Sequence, residues 1–188
     1  CELLQQVLGD NGSTIWRKAN GIDNSPIIPY SERKSISTEC TFEKDSIDVK
    51  NMKSLLAGMT EKLAYQLRDE GKLTSCVTVK IRYSDFNTDT MQARIPYTSL
   101  DHALLEKVNS LFDKLYQKRL LIRLIGIRFS HLVYGGYQYN LFEDNIEQIR
   151  LYQAMDSIRK RFGKDAVTRA GTTIYKEDNL LAPMHSKR

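Results

Sequence analysis

Four basic side chains lie at alternate positions of predicted strands, and they are the residues of this sequence best suited to binding an anion. Residues 75–83, 91–97 and 122–133 alternate apolar with other side chains, which predicts half-buried strands. The positions opposite the apolar ones in these strands carry four basic residues, four uncharged residues and no acid: Thr78, Lys80, Arg82, Gln92, Arg94, Gly126, Arg128 and Ser130. Ammonium and guanidinium groups on such a face can bind phosphate oxygens. The pattern indicates a basic surface for a phosphate backbone, with an ordinary solvated sheet face as the alternative.

The aspartates, histidines and cysteines of this sequence show no pattern of a catalytic site or a metal site. We therefore predict no catalytic residue, metal ligand or cofactor in this chain. Asp45, Asp48, Asp85 and Asp89 fall at predicted caps and turns, where aspartate is common because its side chain bonds to nearby backbone groups. The three histidines are too scattered in sequence for a metal triad. The three cysteines form no CxxC pair, which disfavours a zinc site and a disulfide scaffold and favours a reducing cytosol.

Composition predicts an ordinary globular protein with a modest basic excess. The chain has 188 residues, 41% of them hydrophobic and 27% charged, and a formal net charge of +5. Residues 26–142 hold 17 basic and 13 acidic residues and therefore most of this excess. No apolar run is long enough to span a membrane and no signal peptide is apparent, so we expect a cytoplasmic protein without membrane contact. The first residue is not Met, which suggests a fragment of a longer protein.

Helical and strand periods alternate through the central hundred residues in the order β-α-β-β-α-β. Residues 35–43 favour a strand, and the apolar spacing of residues 49–70 predicts a helix that begins after Asp48 and ends at Gly71. A second helix, capped by Thr98 or Ser99, carries the stripe Leu104, Val108, Leu111, Phe112 and Leu115. Two such helices bury their stripes best on one face of a four-stranded antiparallel sheet, which predicts an α+β fold.

Further elements are predicted on either side of this domain. We divide the chain into residues 1–23 with short N-terminal helices, the linker 24–34, the sheet domain 35–134, the segment 135–142 and a helical tail, 143–188. The tail has an imperfect apolar stripe at Ile146, Ile149, Leu151, Met155, Ile158 and Phe162. Arg159, Lys160 and Arg161 form a basic cluster. The tail could pack on a neighbour, bind DNA through this cluster, or dock another protein.

Several segments resemble, in order, parts of the Y-family translesion DNA polymerases. WRKANGID at residues 16–23 resembles the end of the thumb domain, and RKSI at 33–36 resembles the start of the little finger domain. LIGIRFS at 124–130 resembles the last strand of the little finger, whose topology is also β-α-β-β-α-β. The chain is thus identified as a C-terminal portion of such a polymerase, containing the end of the thumb, the linker, the little finger and a tail.

The resemblance implies a DNA-binding role. A little finger domain grips primer–template double-stranded DNA, and here the implied contacts are Lys34, Ser35, Lys80, Arg82, Arg94, Arg128 and Ser130. The family's catalytic palm, which binds two magnesium ions, is expected to lie N-terminal to residue 1. We therefore expect this chain to be inactive alone and its parent to be a DNA-directed DNA polymerase that acts in the bypass and repair of DNA damage.

Residues 138–142, QYNLF, fit the Q-x-x-L-F pattern by which bacterial polymerases of this kind dock on the sliding clamp. Leu141 and Phe142 would enter an apolar pocket, and Gln138 would supply a directional hydrogen bond. In the alternative, Leu141 and Phe142 pack a C-terminal helix onto the sheet domain. In many relatives this motif ends the chain, whereas residues 143–188 follow it here.

Two other classes of protein share the predicted architecture. An open-faced RNA-binding domain reads single strands with aromatic residues on its central strands, whereas Tyr83 and Tyr97 here have the parity of core residues. A ferredoxin-like module that binds a small molecule or a partner chain would not need an acid-free face. The pattern favours contact with the backbone of a duplex.

Overall fold

A computed structural model describes residues 2–27, 32–135 and 146–175 of the chain. The chain divides into two compact units, Cys1–Glu32 and Arg33–Arg188. In the first unit, α1 (Glu2–Leu8) is followed directly by α2 (Asp10–Ala19), with Gly9 between them at φ 58°. A Cβ atom at Gly12 would overlap the carbonyl oxygen of Leu4, so the two helices cross at a glycine contact.

The second unit has the predicted β-α-β-β-α-β order and adds a short strand and a C-terminal helix. Its elements are β1 (Ser35–Ser46), α3 (Val49–Asp69), β2 (Lys72–Tyr83), β3 (Thr88–Thr98), α4 (Asp101–Leu115), β4 (Ile122–Ser130), β5 (Val133–Tyr134), α5 (Ile146–Phe162) and the 3₁₀ helix Ala170–Tyr175. The strand order is β1-β4-β2-β3, all neighbours are antiparallel, and β5 pairs with the start of β2. The predicted α+β class is confirmed, with five strands in the described residues instead of four.

Local sequence signals place α3 correctly, but not the start of α4. The Asp48 carboxylate accepts a hydrogen bond from the Asn51 N–H at 3.1 Å, and Gly71 ends the α3 turn at φ 62°. The cap of α4 is Leu100, without a side-chain bond, so the predicted cap at Thr98 or Ser99 is wrong. Ser99 is instead buried, and the Thr98 hydroxyl accepts from the Leu100 N–H at 3.1 Å.

The hydrophobic core lies between one face of the sheet and helices α3 and α4. Strands β2 and β4 supply fully buried alternate residues, and the helices supply the stripes that the sequence predicts. The largest fully buried side chains of this core are Tyr83, Phe112, Phe129, Met52, Leu56, Leu63, Leu67, Ile81, Leu104, Ile122, Ile125 and Ile127. Because both helices cover the same face, the other face of the four main strands is left open.

The tail helix α5 packs on the helical side of the domain, although not through the whole predicted stripe. Ile149 and Tyr152 are buried beside Leu100, but Leu151 and Phe162 are exposed. Ile146 and Ile158 are exposed as well. The prediction is wrong for these four residues because the inward face of α5 also carries charged residues that pair with α3.

Arg68 of α3 is the centre of this buried ion-pair network. Its guanidinium donates to Asp156 of α5 at 2.6 and 3.0 Å and to Asp101 of α4 at 2.5 Å. A further N–H donates to the carbonyl oxygen of Ser99 at 2.7 Å, and the group lies 5.3 Å from the ring centroid of Tyr152. One side chain thus joins α3, α4 and α5.

Arg159 belongs to the same network and not to an exposed basic cluster. It is buried at 4% exposure, lies 3.6 Å from carboxylate oxygens of both Glu61 and Asp156, and donates to the Val167 carbonyl oxygen at 3.0 Å. Arg169 also pairs with Glu61, at 2.5 Å. The expectation that Arg159 could bind DNA is therefore wrong, because its charge is used to hold the tail on α3.

No helix in the described ranges is long and apolar enough to cross a membrane.

Candidate nucleic-acid interface

The register of the four main strands arranges the open face into rows of directly paired residues. From β1 to β3 the rows are Ser35–Ser130–Cys76–Arg94, Ser37–Arg128–Thr78–Gln92, Glu39–Gly126–Lys80–Thr90 and Thr41–Leu124–Arg82–Thr88. Paired residues in a sheet point to the same side, so these sixteen positions lie on one face of the sheet, on which Cys76 and Leu124 are themselves buried. We call it the open face. It contains every sequence-predicted DNA-binding residue except Lys34, which directly precedes β1.

Three arginines are spread over the open face, each on a different strand. Arg128 and Arg94 are exposed, and neither has a carboxylate partner within 4.0 Å in the part of the chain that the structure describes. The Arg82 side chain donates from Nε to the Thr88 hydroxyl at 3.0 Å, a bond that leaves its other N–H groups available. These guanidinium groups can each donate two parallel hydrogen bonds to a phosphate.

The open face is not free of acid when β1 is included. The carboxylate of Glu39 accepts from Lys80 Nζ at 2.9 and 3.2 Å, so one of the four predicted cations is paired. The acid-free surface inferred from β2, β3 and β4 is therefore wrong for the whole sheet. The inference failed because it considered only three strands. In β1, side chains also alternate between the two faces, and Glu39 lies on the open face.

One end of the open face contains a shallow depression of about 480 Å³. Its lining includes three of the predicted contacts: Lys34, Arg128 and Ser130. Thr78, Gln92, His131 and Leu132 complete the lining. Sequence patterns did not suggest His131, which follows β4 at φ 55° and has its Nδ1 atom 3.5 Å from the Ser130 hydroxyl. Two cations and several neutral polar side chains thus line this depression.

The four aspartates set aside as structural have structural partners. Asp48 caps α3, and Asp85 accepts from the Asn87 backbone at 3.0 Å, an arrangement that lowers the pKa of its carboxyl. Asp89 pairs with Lys118 at 2.6 Å, and Asp45 lies 3.7 Å from Arg123. Across the described residues, no three His, Cys, Asp or Glu side chains converge in a way that could hold a metal ion.

The predicted clamp-binding residues Gln138, Leu141 and Phe142 lie outside the described residues.

Comparisons with known proteins match this chain to one family model and to several curated relatives. Residues 33–141 match the impB/mucB/samB family C-terminal domain. A DNA polymerase IV of Clostridium kluyveri is 32% identical over 197 residues, which cover 94% of this chain and 47% of the relative. A DNA polymerase IV of Clostridium acetobutylicum is 31% identical over 173 residues, covering 89% of this chain and 43% of the relative.

A shorter match, to a DNA polymerase IV of Streptococcus pyogenes serotype M3, is 34% identical over 125 residues and covers 66% of this chain. The chain spans less than half the length of these curated relatives. The family match includes the whole four-stranded sheet and both covering helices. The chain therefore belongs to the impB/mucB/samB family, the Y-family DNA polymerases, as a C-terminal portion that contains the little finger domain.

Proposed function

We propose that the open face binds the sugar–phosphate backbone of primer–template DNA. The observation that carries this proposal is the set of three arginines, Arg82, Arg94 and Arg128, none of which has a carboxylate partner among the described residues. Because helices α3 and α4 cover the other face of the sheet, this surface can lie flat against a duplex. Phosphate contacts of this kind position a protein on DNA without reading its sequence.

The spacing of the arginines suits a duplex groove. Arg94 and Arg128 are two strands and one row apart, which places their Cα atoms about 12 Å apart at ordinary sheet spacings. The major groove of B-form DNA is also about 12 Å wide. Two long side chains at this separation can reach phosphates on both sides of the groove.

The composition of the open face supports a duplex over single-stranded RNA. None of the sixteen paired positions carries an aromatic side chain, and Tyr83 is fully buried on the other face, although Tyr97, which the sequence also predicts on the core side, is exposed near the end of β3. Domains that bind single strands depend on exposed aromatic rings on which bases stack. We therefore expect backbone contact to dominate.

The test is a triple substitution, Arg82→Ala, Arg94→Ala and Arg128→Ala, with primer–template affinity measured across a salt series. The slope of log K against log salt should fall in magnitude by about 2.7, since each phosphate contact on B-form DNA contributes about 0.9. The matched control removes three exposed lysines from the helices: Lys50→Ala, Lys62→Ala and Lys114→Ala. Equal slopes in both variants would refute the proposal, and tighter binding of single-stranded RNA than of primer–template would favour the RNA-binding alternative.

We also propose that Gln138, Leu141 and Phe142 dock on the bacterial sliding clamp. The support is the Q-x-x-L-F pattern and its position directly after the little finger domain. Loss of a buried interface anchor typically costs about 2 kcal/mol or more, which is roughly a thirtyfold loss of affinity.

The double substitution Leu141→Ala and Phe142→Ala should therefore abolish most clamp binding and leave DNA affinity unchanged. Titration calorimetry with the clamp measures the first effect, and a thermal melt of the variant is the companion measurement. An intact clamp isotherm with a lowered melting temperature would show that both side chains have a packing role instead.

We infer further that the whole protein is a DNA-directed DNA polymerase acting in damage bypass. The names of its relatives support this activity. The four aspartates discussed above are bound to backbone groups or cations, and the resemblance to Y-family polymerases implies a separate magnesium-binding palm, so we propose that the magnesium site lies outside these 188 residues. Primer extension with magnesium should be absent for this chain alone. Extension by this chain alone would refute that placement.

A further inference from the structure

An acidic side chain from the edge strand β1 reaches across the proposed DNA-binding surface. Glu39, Gly126 and Lys80 form one row across β1, β4 and β2, and the Glu39 carboxylate reaches Lys80 over the strand between them. Two strand spacings separate their backbones by about 10 Å. The row lies between Arg128 on one side and Arg82 on the other.

Gly126 makes this bridge possible. A Cβ atom at position 126 would lie 2.8 Å from Glu39 Cγ and 3.3 Å from the Thr38 carbonyl oxygen. The Glu39 side chain therefore occupies the space that a side chain on β4 would fill. The bridge thus depends on three positions on three strands.

We propose that Glu39 limits the affinity of the open face for DNA by neutralising Lys80 and repelling phosphate. This inference rests on the proposed function, because it concerns the same surface. The side chains of Lys80 and Glu39 are 29% and 44% exposed, so a phosphate can reach the pair but must compete with the carboxylate for Lys80. An approaching duplex also brings its phosphates towards a fixed negative charge. A little finger that holds DNA less tightly releases it more readily.

The test is Glu39→Gln, which keeps the shape of the side chain and removes its charge. Lys80 should then bind one further phosphate, so the salt slope should steepen by about 0.9 and primer–template should bind about three to ten times more tightly at moderate salt. The matched control is Glu106→Gln, which removes one exposed carboxylate from α4 on the covered side of the sheet.

A second variant assigns the gain to Lys80. In Glu39→Gln combined with Lys80→Ala, the steepening of the slope should disappear, because no released cation remains. If Glu39→Gln binds DNA no more tightly than Glu106→Gln, while the triple arginine variant still weakens binding, the role of Glu39 is refuted and the DNA-binding surface stands. If the triple arginine variant leaves binding unchanged, the proposed function itself fails.

Discussion

Replacing Arg68 with Met should destabilise the domain more than any surface change. The side chain of Arg68 is 5% exposed, and it is bonded to Asp101, which is 1% exposed, and to Asp156, which is 19% exposed. Burial alone would lower the pKa of Arg68, but the hydrogen bonds that it donates to Asp156 and Asp101 raise its pKa above the usual value, so the group stays charged. Methionine retains much of the volume and leaves the two carboxylates without their partner.

Removal of one partner from a buried ion pair typically costs about 3–5 kcal/mol. For a chain of this size, each kcal/mol corresponds to about 2–4 °C in melting temperature. We therefore expect the melting temperature to fall by about 6–20 °C. Asp156 retains Arg159 at 3.6 Å, whereas Asp101 has no other cation partner in the described ranges. Most of the cost should therefore come from Asp101.

Chemical denaturation followed by circular dichroism measures this loss directly. The control is Arg150→Met, an exposed position of α5, where a change within about 0.5 kcal/mol is expected. Exchange of the α5 amides should also increase in Arg68→Met, because Asp156 loses its bidentate partner on α3. A loss of stability below about 1 kcal/mol in Arg68→Met would refute the assignment of the network as the anchor of the tail, since so small a cost is typical of a surface pair.

Three further changes test the fold. Hydrogen bonds from Gln66 and Lys72 hold the pKa of the Glu70 carboxyl below its ordinary value of 4.5. The ionised carboxylate therefore stabilises the fold at pH values above 4.5, and this stabilisation is lost as the pH falls through the lowered pKa of the folded state. Unfolding free energies should show Glu70→Gln less stable than the native chain at pH 7, with a gap that closes under acid; a constant gap would contradict the linkage. Phe112→Ala should lower the free energy of unfolding in urea by about 3–5 kcal/mol, because the ring is fully buried. A loss below 1 kcal/mol would mean that neighbouring side chains move in to fill the cavity. Gly71→Ala should cost about 1–2 kcal/mol by the same assay, because φ is 62° and a Cβ would meet no neighbour there, so backbone strain is the whole effect.

Sequence patterns predicted the elements whose signals are local. Asp48 and Gly71 fix the ends of α3 because a cap and a left-handed turn depend on a few adjacent residues. The strict alternation of β2 likewise reveals which side is buried. The partner of Lys80 could not be found in this way, because Glu39 lies 41 positions earlier and meets it only through the pairing of three strands.

The buried face of α5 was mispredicted for a different physical reason. The prediction from the apolar stripe assumes that hydrophobic residues are the buried ones. In α5, however, Arg159 is buried and Leu151 is exposed. Paired charges can be buried when each finds a partner, and those partners, Glu61 and Arg68, belong to a distant helix. The two-residue strand β5 was missed because so short a segment has no period to detect.

The position of β4 in the sheet constrains how the domain can fold during synthesis. This strand lies between β1 and β2, yet it is the last of the four main strands to leave the ribosome. Until Ile122–Ser130 has emerged, β1 has no strand to pair with, and one edge of β2 is unpaired. The strand β5, which pairs with the start of β2, emerges later still. The pairing of Ser35 with Ser130 also closes a loop of about 95 residues, and such distant contacts slow folding. Truncation before Ile122 should therefore leave an unfolded chain and not a smaller domain, and any separately expressed little finger must include β4.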